Sequence, residues 1–268
     1  MFLEYLKFIL YGLIQGFTEF IPVSSTAHLK VISELLGFDD PGSSLSAIIQ
    51  LGSVIALVCY FRNDIFKFRH QSPINIFDYF LNSKLLRSIF IGTIPIIFLG
   101  ASIKLFFPYF FDKVLRSNLS IALVSLFMAI FMYLAESSRK GSISLNKHNY
   151  SDSFLIGFSQ AFAVIPGFSR SGITISTALL SGWNRADAVR FSFLLGIPAI
   201  SLSAIVEFIY AFKELSAFSF FPLFFGFVST FLSSLFAIDF LLKYISSNGL
   251  KLFIIYRVLF GILILLNI

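Results

Sequence analysis

The sequence predicts an all-α polytopic membrane protein, with about six full transmembrane helices and two broken or re-entrant helical segments in an inverted-topology repeat. Three observations carry this expectation. Hydrophobic residues make up 57% of the chain and charged residues 13%, with a mean hydropathy of +0.88. Soluble domains carry about 25% charged residues, so this composition cannot cover a water-facing surface. The apolar residues fall in blocks long enough to cross a hydrocarbon core, which takes about 20 residues of helix. Two further blocks are cut by Pro, Gly, Ser and charged residues, and they match each other. A closed β-barrel needs short segments of alternating polarity; the stretches 119–134 and 220–242 are apolar on every side, which excludes it.

In chain order, the full spans are placed near residues 45–61, 88–107, 118–135, 191–211, 220–242 and 252–268, and the broken segments near 8–32 and 153–182. Phe, at 37 of 268 residues, suits lipid-facing bulk. The single cysteine, Cys59, excludes a disulfide framework, and no zinc-type Cys/His cluster occurs. The net charge of +6 is scattered between apolar blocks rather than clustered, which argues against nucleic acid. The N-terminus lacks a basic leader and cleavage site and is read as mature protein.

Charge bias orients the spans. The connection after the first full span carries Arg62, Lys67, Arg69, Lys84 and Arg87, and the 136–151 connection carries Arg139, Lys140 and Lys147. Arg185, Arg190, Lys243 and Lys251 fall on the same side, against Lys113, Arg116 and Lys213 opposite. The positive-inside rule puts the richer side in the cytoplasm. Segment 8–32 then enters from outside and 153–182 from inside. The whole chain reads as one integral membrane domain, with repeats at about 1–135 and 152–268 joined by a cytoplasmic loop at 136–151.

The repeat is visible in the residues. Gly12-Leu-Ile-Gln15-Gly-Phe17 matches Gly157-Phe-Ser-Gln160-Ala-Phe162, and each is followed by Ile-Pro and a hydroxyl cluster. Inverted repeats with discontinuous helices place polar sites near the bilayer midplane.

In the first cluster Gln15 and Glu19 are four apart and share a helix face. Pro22 breaks that helix; Ser24, Ser25 and Thr26 are placed to cap the next, with His28 one turn in. The second cluster, Pro166-Gly-Phe-Ser169-Arg170-Ser171-Gly-Ile-Thr174, opens a helix with a Gly- and Ser-rich turn suited to an anion. Arg170 adds a guanidinium fork matched to phosphate. Each residue also has a purely structural reading. Hydroxyls in membrane helices bond back to backbone, Glu19 and Arg170 can form a structural ion pair, and His28 can be a structural donor. The combination exceeds what structure alone requires. Glu207, Asp239 and Arg257 lie outside both clusters and read as span-end or interhelical contacts.

At these motifs the chain resembles the undecaprenyl-pyrophosphate phosphatase family, the bacitracin-resistance type. That family carries (E/Q)-x-x-x-E, then P-V-S-S-T-x-H, then P-G-x-S-R-S-x-x-T. Here these are Gln15 with Glu19, Pro22-Val-Ser-Ser-Thr-Ala-His28 and Pro166-Gly-Phe-Ser-Arg-Ser-Gly-Ile-Thr174. Ile49-Gln50-Leu-Gly-Ser53 and the run from Arg190 to Pro198 extend the similarity over nearly the whole chain. Gln15 stands where many members have Glu, which removes one metal-binding charge, and Ala27 stands where Gly is commoner.

The resemblance implies hydrolysis of a C55 polyprenyl diphosphate to its monophosphate with a divalent cation, Mg²⁺ or Ca²⁺, recycling the lipid carrier for cell-wall polymers. It implies a multi-pass protein of the bacterial cytoplasmic (inner) membrane and bacitracin as a competitor for the same lipid; the charge bias, which brings the first motif in from outside, predicts a site accessible from the outer, periplasmic side. The diphosphate is expected against Ser24, Thr26, Gln50, Ser169, Arg170, Ser171 and Thr174. Glu19, with Gln15, is expected to orient the cation, since oxygen ligands suit hard ions. Ser25 is favoured as nucleophile with His28 as base; attack by His28 itself or by activated water stays open, as does self-association into a homo-oligomer. The rival reading is a polyprenyl-phosphate flippase using the same midplane site.

Overall fold

The structure, a computed structural model, describes residues 2–38, 42–65, 83–138, 141–211 and 220–267. Lys67, Arg69, Arg139, Lys140 and Lys213, which enter the charge count, lie outside the described residues, as does the side chain of Glu207. Ten longer helices run through the described chain: α1 Phe2–Phe20, α2 Ser25–Leu35, α3 Gly42–Tyr60, α4 Lys84–Phe106, α5 Asn118–Ser138, α6 Tyr150–Ala161, α7 Arg170–Leu180, α8 Arg185–Ala211, α9 Phe220–Asn248 and α10 Lys251–Leu266. The described residues contain no strand; one isolated bridge joins Ile143 to Trp183.

Among the described residues four helices are long and apolar enough to cross a membrane: Lys84–Ile103, Asn118–Ser138, Arg185–Val206 and Phe220–Asn248. This is a multi-pass, all-helical membrane protein. Of the other two expected spans, α3 has a shorter apolar stretch, Ile48–Tyr60, and α10 has 16 residues. Pro95 and Pro198 sit inside α4 and α8, tolerated where neighbouring helices and side chains satisfy the freed backbone groups.

Both interrupted segments are helix–hinge–helix units. Pro22 and Pro166 follow the ends of α1 and α6, where proline cannot continue the backbone ladder. The start of α6 is fixed by Asp152, whose carboxylate accepts from the Asn149 N–H at 2.9 Å. Each incoming arm lies close against a spanning helix. α1 packs on α9, where a Cβ at Gly16 would stand 2.5 Å from Thr230 O, and Ser233 Oγ donates to Gly12 O at 3.3 Å. α6 packs on α4 so closely that a Cβ at Gly157 would stand 2.1 Å from Gly92 O. Small residues permit such backbone approach, the main source of helix association where lipid is as apolar as the side chains. The core beneath the hinges gathers Phe20, Met128, Met132, Trp183, Phe191 and Phe193.

Candidate active site

The two hinges meet inside the protein. Gly167 N–H donates to Ser24 Oγ at 3.2 Å, and Ser171 Oγ donates to Ile21 O at 3.3 Å. Both hinges end in a serine with positive φ, Ser24 at φ 77°, ψ 103° and Ser169 at φ 65°, ψ 111°. Non-glycine residues pay about 1–3 kcal/mol for such conformations, which persist where the surroundings over-determine them. Just past each strained serine a helix opens, with its first N–H groups unpaired by the helix itself.

Between these openings lies a compact polar set. Gln15 Nε2 donates to Glu19 Oε2 at 2.9 Å, the i,i+4 pairing expected from their spacing. Ser25 Oγ donates to the same oxygen at 2.7 Å. The other carboxylate oxygen, Oε1, is 3.5 Å from Arg170 Nη2, and both side chains are less than a tenth exposed. Arg170 Nη1 donates to Ser192 O at 3.3 Å, while its buried Nε and Nη2 make no hydrogen bond. A buried guanidinium with unmet donors beside a carboxylate and a hydroxyl is a receiver for an oxyanion.

Several expected placements change. Ser24 does not cap its own helix; its hydroxyl accepts from Gly167 in the facing hinge. Ser25 is not bonded to His28 but to Glu19, because residues three apart on α2 diverge here, Ser25 back toward α1 and His28 toward α10. Nδ1 of His28 lies 2.7 Å from Ser24 O, which can only accept, so Nδ1 carries the proton. Nε2 is then the acceptor for the Tyr256 hydroxyl at 2.6 Å. The imidazole stacks on Phe260 with centroids 4.3 Å apart. Thr26 is exposed, turned away from the buried set. Gln50 is half-buried on α3 and shares no hydrogen bond with the set among the described residues. Ser169 and Ser171 hydroxyls lie 3.2 Å apart at the mouth of α7. Thr174 Oγ1 donates to Arg170 O at 2.7 Å and meets Ser192 Oγ at 2.6 Å, so it braces the turn that carries Arg170.

The family model for bacitracin resistance protein BacA matches residues 8–263. The chain belongs to the BacA family. Among its relatives, an undecaprenyl-diphosphatase of Prochlorococcus marinus strain AS9601 is 74% identical over 99% of this chain and 97% of its own length. That of strain MIT 9312 is 73% identical across the whole of both chains, and that of strain MIT 9313 is 46% identical over 95% of this chain and 86% of its own.

Three residues around this candidate site, Ser192, Gly196 and Tyr256, escaped the sequence reading, and Arg257 was read there only as a span-end or interhelical contact. Ser192 and Gly196 are four apart on the face of α8 that backs Arg170; a Cβ at Gly196 would stand 2.1 Å from Arg170 Nη1. Both lie in the Arg190–Pro198 run whose similarity to the family was the available signal. Tyr256 and Arg257 sit next to each other on α10, with no motif around them. Arg257 donates to Pro22 O and Gly167 O, one carbonyl from each hinge.

The resemblance described above carries the expectation of a divalent cation. Among the described residues no three His, Cys, Asp or Glu side chains converge into an all-protein cage. The Glu19 carboxylate and the Ser25 hydroxyl supply hard oxygens, and the Gln15 amide, whose N–H is on Glu19 Oε2, has a carbonyl oxygen besides. They fit an ion of the Mg²⁺ type, which is held by one or two carboxylates and completed by substrate phosphates and water.

Proposed function

We propose that this chain hydrolyses undecaprenyl diphosphate to undecaprenyl monophosphate and inorganic phosphate, returning the lipid carrier for peptidoglycan and other cell-wall polymers to use. The 2.7 Å hydrogen bond from Ser25 to Glu19, beside the open donors of Arg170, is the observation that carries the reading. The name and near-full-length identity of the Prochlorococcus relatives support it.

In this reading the diphosphate lies between the two helix openings, with its terminal phosphoryl group held by Arg170 and the N–H groups at the start of α7. Ser25 Oγ attacks the terminal phosphorus while its proton passes to Glu19 Oε2. The new Ser25 O–P bond forms as the bridging P–O bond breaks, and undecaprenyl monophosphate leaves. Glu19 passes that proton to the departing monophosphate; water then attacks the phosphoserine and gives a proton to Glu19 as the Ser25 O–P bond breaks, and Glu19 hands it on to Ser25 Oγ as inorganic phosphate departs. Arg170 balances charge on the transferring phosphoryl oxygens, the main demand of this chemistry. A divalent cation held by Glu19 and Gln15 would add to that neutralisation. His28 serves as a brace: its Nδ1–H fixes the Ser24 carbonyl, and its Nε2 is engaged by Tyr256. Bacitracin competes for the same lipid in this scheme.

The test is phosphate release from undecaprenyl diphosphate by detergent-purified protein, with and without EDTA, alongside Ser25→Ala. Release that EDTA suppresses, with radiolabelled phosphate trapped on wild-type protein and absent from Ser25→Ala, is the expected result. Label retained on Ser25→Ala would exclude the phosphoserine. Lipid binding without release would favour the flippase, which needs no attacking group.

The same reading takes residues 1–268 as one integral membrane domain of the inner membrane, with six spans (α3 and α10 joining the four longer helices) and inverted repeats at about 1–135 and 152–268 around the 136–151 loop. The paired packing of α1 on α9 and α6 on α4 supports the repeat, as do the matched positive-φ serines opening two 11-residue helices. The first hinge then faces the periplasm. Thr26, exposed at the start of α2, reports on this. In a Cys59→Ser background, Thr26→Cys should react with an impermeant maleimide in intact spheroplasts. Reaction only in inverted vesicles would reverse the orientation.

A further inference from the structure

Arg257 is fully buried at the middle of α10. Its guanidinium reaches three separate elements: Nη1 donates to Pro22 O at 3.1 Å, Nη2 to Gly167 O, and Nε to Ser125 O of α5 at 3.4 Å. Ser125 returns a bond from its hydroxyl to Arg257 O at 3.1 Å. The two hinge carbonyls occupy the same register, each two residues before the positive-φ serine that opens the next helix. One side chain thus grips both hinges at matching points.

From this geometry we infer that Arg257 is a positioning residue for the reaction proposed above, fixing the spacing between the hinges so that Ser25 and Arg170 address one phosphoryl group. Among the described residues two direct hydrogen bonds otherwise join the hinges, Gly167 N–H to Ser24 and Ser171 to Ile21, at 3.2 and 3.3 Å, beside the Glu19–Arg170 pair at 3.5 Å. A planar fork holds two carbonyls of different segments at a set separation; an ammonium on a flexible stem cannot. The neighbouring Tyr256 adds a second grip on the first hinge through His28, so α10 acts as the backboard of the site without touching the reacting atoms.

The inference rests on the phosphatase reading, and the experiment separates the two. Full-length wild-type protein, Arg257→Lys and Arg257→Gln are purified in detergent. Their melting temperature, affinity for undecaprenyl diphosphate, phosphate release and amide hydrogen exchange are then measured. Arg257→Lys should remain folded and bind the lipid with near wild-type affinity. Its kcat should fall about 100-fold, the loss that follows from misplacing reacting groups by about 1 Å. Exchange should quicken selectively at Val23–Thr26 and Phe168–Ser171. Wild-type kcat in Arg257→Lys would overturn the inference. So would a loss that merely tracks the folded fraction, with exchange raised evenly through the protein. If wild-type protein releases no phosphate, the assigned reaction falls, and the hinge amides still decide the clasp: unchanged exchange there removes it.

Discussion

Glu19→Gln is expected to keep the protein folded and to lower phosphate release by about 10²–10⁴-fold, the range for removing a positioned general base. Glutamine preserves the shape of the side chain and can still bond to Gln15 and Ser25. It cannot take the proton that Ser25 directs at Oε2 from 2.7 Å. The substitution also leaves Arg170 without its buried carboxylate at 3.5 Å. Breaking a buried pair from one side costs about 3–5 kcal/mol, so a lowered Tm should accompany the loss of turnover. A diphosphate restores the missing negative charge, and the lipid should therefore bind this variant at least as tightly as wild type and raise its Tm by more. The measurements are kcat, lipid affinity and the lipid-induced Tm shift. Near wild-type turnover would leave Glu19 as a counter-ion alone.

The opposite placing of two hydroxyls shows how far local rules reach. Ser24 was expected to cap α2 because a serine before a helix usually does so. That rule weighs only the helix's own N–H groups. Here the facing hinge offers Gly167 N–H, and Ser24 answers it instead. Likewise, one-turn spacing suggested that Ser25 and His28 work together, yet spacing says nothing of what lies on either side of a helix. α10 supplies Tyr256 and Phe260 to one flank and α1 supplies Glu19 to the other, so the two residues part.

What was legible were features encoded in a single segment. The Pro22 and Pro166 breaks, the Gln15–Glu19 face and the apolar blocks of α4, α5, α8 and α9 all follow from adjacent residues. The meeting of the two motifs also followed, through their internal match, and it brings Glu19 to Arg170. Arg257 was read correctly as an interhelical contact, but its role required its partners. Those partners lie 235 and 90 residues away in the chain. They are backbone carbonyls, which any residue type provides, so no side-chain pattern could announce them.

Gly196→Ala is the substitution for which fold and function should separate most clearly. The added methyl would stand 2.1 Å from Arg170 Nη1 and 2.6 Å from Cζ, so the guanidinium must leave its seat on Ser192 O. The obstacle is the far end of a flexible side chain rather than backbone, and alanine suits a helix interior better than glycine by about 1 kcal/mol. Stability should therefore change little while the phosphate grip is displaced. A displacement of about 1 Å is enough to cost about 100-fold in rate, so kcat/KM should fall by at least that order with an almost unchanged Tm. The loss should run through Arg170 alone. Arg170→Ala and the Arg170→Ala/Gly196→Ala double variant should then be equally impaired, the non-additivity expected of residues acting on one interaction. If Gly196→Ala further slows a protein already lacking Arg170, the methyl acts elsewhere on α8, and Gly196 is not the floor of the arginine's seat.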